Sequence, residues 1–273
     1  MKALLLSVAL TVVVAGCATT TSPTGRRQYV GAVSQAELNQ LGQQAFNELK
    51  SQKAQTTSSQ QRGYVSCIVN DLVSALPAEW RQATGETGGW ETAVFKDAEA
   101  NAFALPGGKV GVYTGIFDVA RNQDQLAAVI AHEIGHVVAH HHDERITRQA
   151  GASGVVQLVS ALLGSRFGSG VANAAAQGGS ILAQTGFLLP GSRAQETEAD
   201  VVGQQLMAQA GFDPRAAVNL WENMIQAGGS RPPEWLSTHP DPSARISELR
   251  SRASALLPVY QQAQAQGRRP SCG

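Results

Sequence analysis

This chain has no excess of either charge: 21 Lys and Arg stand against 21 Asp and Glu. Without a basic surplus there is no footprint for a phosphate backbone, so nucleic acid is excluded and proteins and membranes are the partners to expect. An internal repeat is missing, and so is an appended helical-repeat module. Past the N-terminus no apolar run approaches the roughly 20 residues that cross a bilayer as a helix. Cysteine is almost absent, with three in 273 residues, too few for a disulfide framework. Histidine is also scarce and unevenly spread: five of the six lie between positions 132 and 142, and the sixth is His239.

The length allows one good-sized domain or two small ones, with ample core. Residues Met1–Gly16 form a short basic start and an apolar run, which suits a secretory signal. The run ends in Val14-Ala-Gly-Cys17, which resembles a bacterial lipoprotein signal; Cys17 would then carry the lipid, the alternative being an ordinary signal with an incidental cysteine. Two or three acyl chains would anchor the protein stably. Ala18 where Asp would mark the inner membrane favours, by resemblance, the periplasmic side of the outer membrane. Residues 17–33 read as lipidated N-terminus and flexible tether, with Ala18–Gln28 rich in Thr, Ser and Gly. In an oxidising compartment the remaining Cys67 and Cys272 are expected to pair and pin the tail 261–273 to an N-terminal helix; two unpaired thiols are the alternative.

Between them lies the main domain, 34–260. Ser34–Gln52 has helical apolar spacing, with Ser34 as cap and Glu37 completing a capping box. A second helix fits 58–76, and Trp90–Phe95 alternates as a strand. Asn101–Leu105 and Lys109–Ile116 flank Pro106-Gly-Gly108, a hairpin signal. A helix over Gln123–Glu144 starts at the polar Asn122-Gln-Asp124. Residues 150–190, rich in Ala, Gly and Ser, read either as closely packed small-residue helices or as a mobile flap. Further helices fit Ser192–Ala210, closed by Gly211, then a segment opened by Pro214, then Ser243–Leu256. The fold class is α+β, mainly helical: a zincin-type domain with a small antiparallel sheet packed on the helix that carries most histidines.

That helix contains His132-Glu-Ile-Gly-His136. Residues four apart share a helix face, so both imidazoles can reach one Zn²⁺, and Glu133 beside them can take a proton from a water on the metal. A zinc hydrolase usually has three protein ligands and one open position. His142 falls where a metzincin would have its third histidine, but the turning glycine of that pattern is replaced by Ala139. On a continuous helix His142 lies about 9 Å along the axis from His136, whereas ligand nitrogens on one zinc sit roughly 3.4 Å apart. His140, His141 and His142 therefore read as the solvated end of the helix, where positive charge suits the dipole. The third ligand is sought in Glu196-Thr-Glu-Ala-Asp200: Glu196 as ligand, Asp200 one turn on as acceptor from a liganding histidine, Glu198 pointing away into solvent.

These motifs, together with Asn101–Gly115 and Ser237-Thr-His-Pro240, resemble gluzincin metallopeptidase family forty-eight over roughly residues 30–255, and within it the exported bacterial lipoprotein proteases. The resemblance implies a zinc endopeptidase acting on misfolded or unassembled envelope proteins, with one zinc per chain. Lacking membrane-spanning helices, the chain does not fit the prenyl-protein proteases of the group. His239, on a loop, reads as a transition-state donor; it could instead fill the open zinc position at rest, or be a capping or core residue. Arg193 and Arg245 are weaker donor candidates, more at home in ion pairs. If Lys109–Tyr113 (Lys109, Val110, Gly111, Val112, Tyr113) is the sheet edge beside the zinc, an extended substrate would add to it through backbone hydrogen bonds. A non-hydrolytic zinc lipoprotein acting as a chaperone or assembly factor is the competing function, and an amidase of peptidoglycan peptides shares the chemistry.

Overall fold

Asn122 accepts the backbone N–H of Gln125 and starts α4, Gln123–Val138, whose residues from Gln125 onward are all buried. A helix buried on every side belongs in the centre of a fold, and much of the protein packs around this one. The computed structural model describes residues 18–86, 88–152, 191–228, 235, 239 and 242–273. Before α4 come the hairpin β1 (Ala18–Thr21) and β2 (Arg27–Val30), the helices α1 (Gln35–Gln52), α2 (Ser59–Ser74) and α3 (Ala78–Ala83), and the strands β3 (Glu91–Phe95), β4 (Ala102–Leu105) and β5 (Lys109–Tyr113). After it come α5 (His141–Ala152), α6 (Arg193–Ala210), α7 (Ala216–Gly228) and α8 (Pro242–Ala265). The signal 1–16, Cys17 and residues 153–190 lie outside the described residues.

The sheet alternates its two faces, as period two requires. Val94, Ala102, Ala104, Val110 and Val112 join the core around α4. Phe95, Phe103, Leu105 and Tyr113 face Leu38, Leu41 and Phe46 of α1. Gly111 pairs with Phe103 across the strands, and a Cβ there would lie 2.1 Å from the Phe103 ring.

Strand order corrects two expectations. The sheet runs β3-β5-β4 and is mixed: β4 is antiparallel to β5, but β3 is parallel to it. Lys109–Tyr113 is thus the central strand, paired on both sides, and Lys109, Val110, Gly111, Val112 and Tyr113 have no open backbone edge for a substrate. The hairpin 101–113 was legible because its turn is local. A parallel partner eighteen residues upstream leaves no local signal.

Two further expectations change. Residues 18–30 form a hairpin turned at Gly25, not a flexible tether. The helix expected over 123–144 ends at Val138; Ala139 caps it and His140 takes a left-handed φ of 54°, so α5 leaves in a new direction. The helix at Ser192–Ala210 stands as read, with a Ser192–Gln195 capping box and Gly211 closing it at φ 87°. The last helix is longer than expected, reaching Ala265.

Beyond α8 the tail returns to the start of α4. Gln123 donates to Pro270 O and accepts from the Cys272 N–H, and Cys272 is bonded to Cys67 of α2. This bridge closes a 205-residue separation, so reduction, or Cys272→Ser, is expected to lower the unfolding free energy by about 3–5 kcal/mol. Urea titrations with and without reductant measure it. A loss under about 1 kcal/mol would show that the Gln123 contacts alone hold the tail.

Candidate metal centre

Two glycines set the site. A Cβ on Gly203 would lie 2.8 Å from His132 N, and one on Gly135 2.8 Å from Ala199 O. Small residues at this crossing let α4 and α6 approach backbone to backbone, which brings the carboxylates of α6 onto the histidine face of α4.

There His132 Nε2 and His136 Nε2 lie 3.1 Å apart. Glu196 reaches between them, Oε2 at 3.4 Å from His132 Nε2 and Oε1 at 3.7 Å from His136 Nε2. His239 Nδ1 completes the group, 2.7 Å from Glu196 Oε2 and 3.2 Å from His132 Nε2. One donor atom from each of the four lies within 4.8 Å of all the others, and all four residues are buried. These separations bracket the roughly 3.4 Å edge of a tetrahedron of nitrogen and oxygen around zinc. Glu196 Oε1 is fully buried with no hydrogen-bond partner among the described residues. A buried carboxylate oxygen left unpaired is costly; a cation at the centre of the four donors would satisfy it. Charge agrees: burial pushes the Glu196 carboxyl up, but the surrounding His239, His136 and His132 hold it well below the usual range. Burial drives His136 well down, toward the neutral form a ligand needs.

The sequence-derived residues His132, His136, Glu196 and His239 are therefore brought together. Asp200 Oδ1 lies 3.0 Å from His132 Nδ1, so that ring turns its other nitrogen to the centre. Glu133 stays outside the donor set: its Oε1 accepts from Trp235 Nε1 at 2.9 Å and lies 3.4 Å from His239 Nε2. Arg245, buried, donates to both Asp200 oxygens at 2.6 Å and to Glu196 Oε2 at 3.1 Å, and lies over the Trp221 ring. It is an ion-pair partner. Arg193 sits exposed at the start of α6. The sequence reading missed Trp235, whose one signal was its i, i+4 spacing to His239.

Of the three histidines after α4, His140 is half-buried and the other two are enclosed. His141 and His142 are buried, because the chain turns at His140 and sends them inward. His142 Nε2 donates to Ala104 O of β4 at 3.0 Å, and the residue takes no part in the donor cluster. Glu198 is buried too. Burial alone would raise its carboxyl, but His141, Ser22, Thr24 and Arg26 donate to it and hold it at about 2.

Burial pushes His142 down to about 3. An unfolded imidazole takes its proton near 6.5, so the contribution of His142 to stability is complete above about 6.5 and is lost as pH falls from there toward 3, at up to about 1.4 kcal/mol per pH unit. Denaturation of the native chain and of His142→Asn between pH 7 and 4 should show a shallower decline for the variant. Parallel curves would remove His142 from the acid response.

Three similarities to known proteins meet this geometry. The profile of Peptidase family M48 matches residues 59–253, which include every cluster residue. The chain is 43% identical over 162 residues to a mitochondrial metalloendopeptidase OMA1 of Schizosaccharomyces pombe, covering 59% of this chain and 45% of the relative. It is 36% identical over 171 residues to the beta-barrel assembly-enhancing protease of Escherichia coli, covering 60% and 34%. The chain thus spans less than half the length of either. A family profile that takes in more than half of the chain, over a cluster of the donor chemistry just described, places it: the protein belongs to peptidase family M48.

Proposed function

We propose that the chain is a zinc-dependent endopeptidase, and the observation that carries this is Glu133 standing beside a buried His-His-Glu-His donor set without belonging to it. A purely structural metal site has no use for a free carboxylate at its rim. His132, His136 and Glu196 would hold the ion, with Asp200 and Arg245 orienting them. The ion supplies Lewis acidity toward a water and toward the scissile carbonyl. Glu133 takes the proton of the attacking water on its carboxylate and passes it to the leaving amine. His239 points Nδ1 at the donor set and Nε2 at Glu133, so it stands where that water must enter. We read this as a resting arrangement that opens when His239 withdraws.

The substrates in this reading are unfolded or misassembled envelope proteins. With a lipid on Cys17, the enzyme would work at the periplasmic side of the outer membrane. Purified chain is expected to hold one zinc and to cut casein and unfolded outer-membrane protein. A chelator should stop the cutting and added zinc restore it. A chain that holds zinc yet leaves both substrates whole would favour a binding role.

A further inference from the structure

The second histidine of the donor set has an outer face of its own. His136 turns Nε2 inward, so Nδ1 points away from the cluster, 2.8 Å from Nδ1 of His141. Two bare imidazole nitrogens do not attract, so one of them carries a proton. An imidazole whose Nε2 lone pair faces a cation keeps its hydrogen on Nδ1. His136 therefore donates and His141 accepts. The hydrogen of His141 then sits on Nε2, where Glu198 Oε2 receives it at 3.0 Å. Every bond along this line has one direction, from the donor set outward.

Glu198 is gripped by the N-terminal hairpin. The hydroxyls of Ser22 and Thr24 donate to Oε1, and Arg26 Nε donates to Oε2 at 2.7 Å. With His141, that fills the acceptor positions of the carboxylate. Arg26 turns its remaining nitrogens to Glu144 of α5, at 3.0 and 2.8 Å. Gly31 N–H, just past β2, donates to both oxygens of Asp143. His132 meets its carboxylate directly in Asp200; His136 meets one only through a second imidazole held by a different part of the chain.

We propose that His141 and Glu198 are positioning residues for His136, and that the hairpin Ala18–Val30 holds this relay and so sets metal affinity from outside the metal centre. The inference rests on the zinc reading above. Groups that orient a liganding histidine typically contribute about 10–100-fold to metal affinity.

The test uses the full chain, with zinc affinity measured by competition against a chromophoric chelator and ligand geometry by the visible bands of the cobalt(II)-loaded protein. His141→Leu is expected to raise the zinc Kd by about 10–100-fold and to shift the cobalt bands. His141→Gln, which keeps an acceptor and a donor, should recover part of the loss. Arg26→Gln, on a side chain 20% exposed and out of contact with any ligand, should weaken zinc in the same direction by a smaller factor. Tyr29→Ala, on the exposed side of the same hairpin at 53% exposure, should leave both readouts unchanged. Should His141→Leu not fold, Arg26→Gln decides. Zinc bound by the native chain, with Kd values within twofold and unshifted bands in the folded variants, overturns the relay alone. A native chain that takes up no zinc overturns the metal reading and the relay with it.

Discussion

Glu133→Gln is expected to keep its zinc and lose its catalysis. The carboxylate lies outside the four-donor set, so metal content should stay at one per chain. An amide fills the same volume beside Trp235 Nε1, at 2.9 Å in the native chain, so folding should be little changed. What the amide cannot do is accept a proton from the attacking water. Loss of a positioned general base costs about 10²–10⁴-fold. The whole loss should fall in kcat, because the residue does not help hold the substrate. Side-by-side digestion of an unfolded substrate, with zinc measured on both proteins, checks it. A variant cutting within fivefold of the native rate would remove Glu133 from the chemistry.

Arg245→Met should do its damage to the fold. The guanidinium is almost fully buried, at 3% exposure of its side chain, and it carries both Asp200 oxygens, one Glu196 oxygen and the face of Trp221. Methionine keeps the volume and leaves two buried carboxylates short of a cation. Breaking a buried pair from one side typically costs about 3–5 kcal/mol, and denaturation of the metal-free chain should show a loss of that size. Arg245→Lys restores the charge but not the two-pronged geometry, so it should recover only part. The double variant Arg245→Met, Asp200→Leu should be more stable than Arg245→Met alone, since the stranded carboxylate is gone. A loss below about 1 kcal/mol in Arg245→Met would mean that Asp200 does not depend on this arginine.

Much of the metal centre was legible because its spacing is helical. His132 and His136 are four apart, as are Glu196 and Asp200, and each pair faces one way from its own backbone. Rejecting His142 as a ligand also came from spacing. Yet that reading assumed an unbroken helix, and the chain instead turns at His140. The turn converts three supposedly solvated histidines into two buried ones with separate partners, His141 on Glu198 and His142 on Ala104 O. Glu198 was misread for a related reason. From α6 alone it points away from the ligands, and what waits there is a hairpin 172 positions upstream. The central place of β5 was equally hidden, since strand order depends on pairing between distant segments.

The amino-acid order by itself determined the donor types, their helical spacing, the free carboxylate of Glu133 and the local turns, because each follows from the geometry of a few consecutive residues. Tertiary structure alone decided that α4 and α6 touch at Gly135 and Gly203, that His239 and Arg245 come back to close the cluster, and that residues 18–30 dock behind His136. Those contacts join segments tens to hundreds of residues apart, and they exist only where burial of the central helix outweighs the entropy of closing the loops between them.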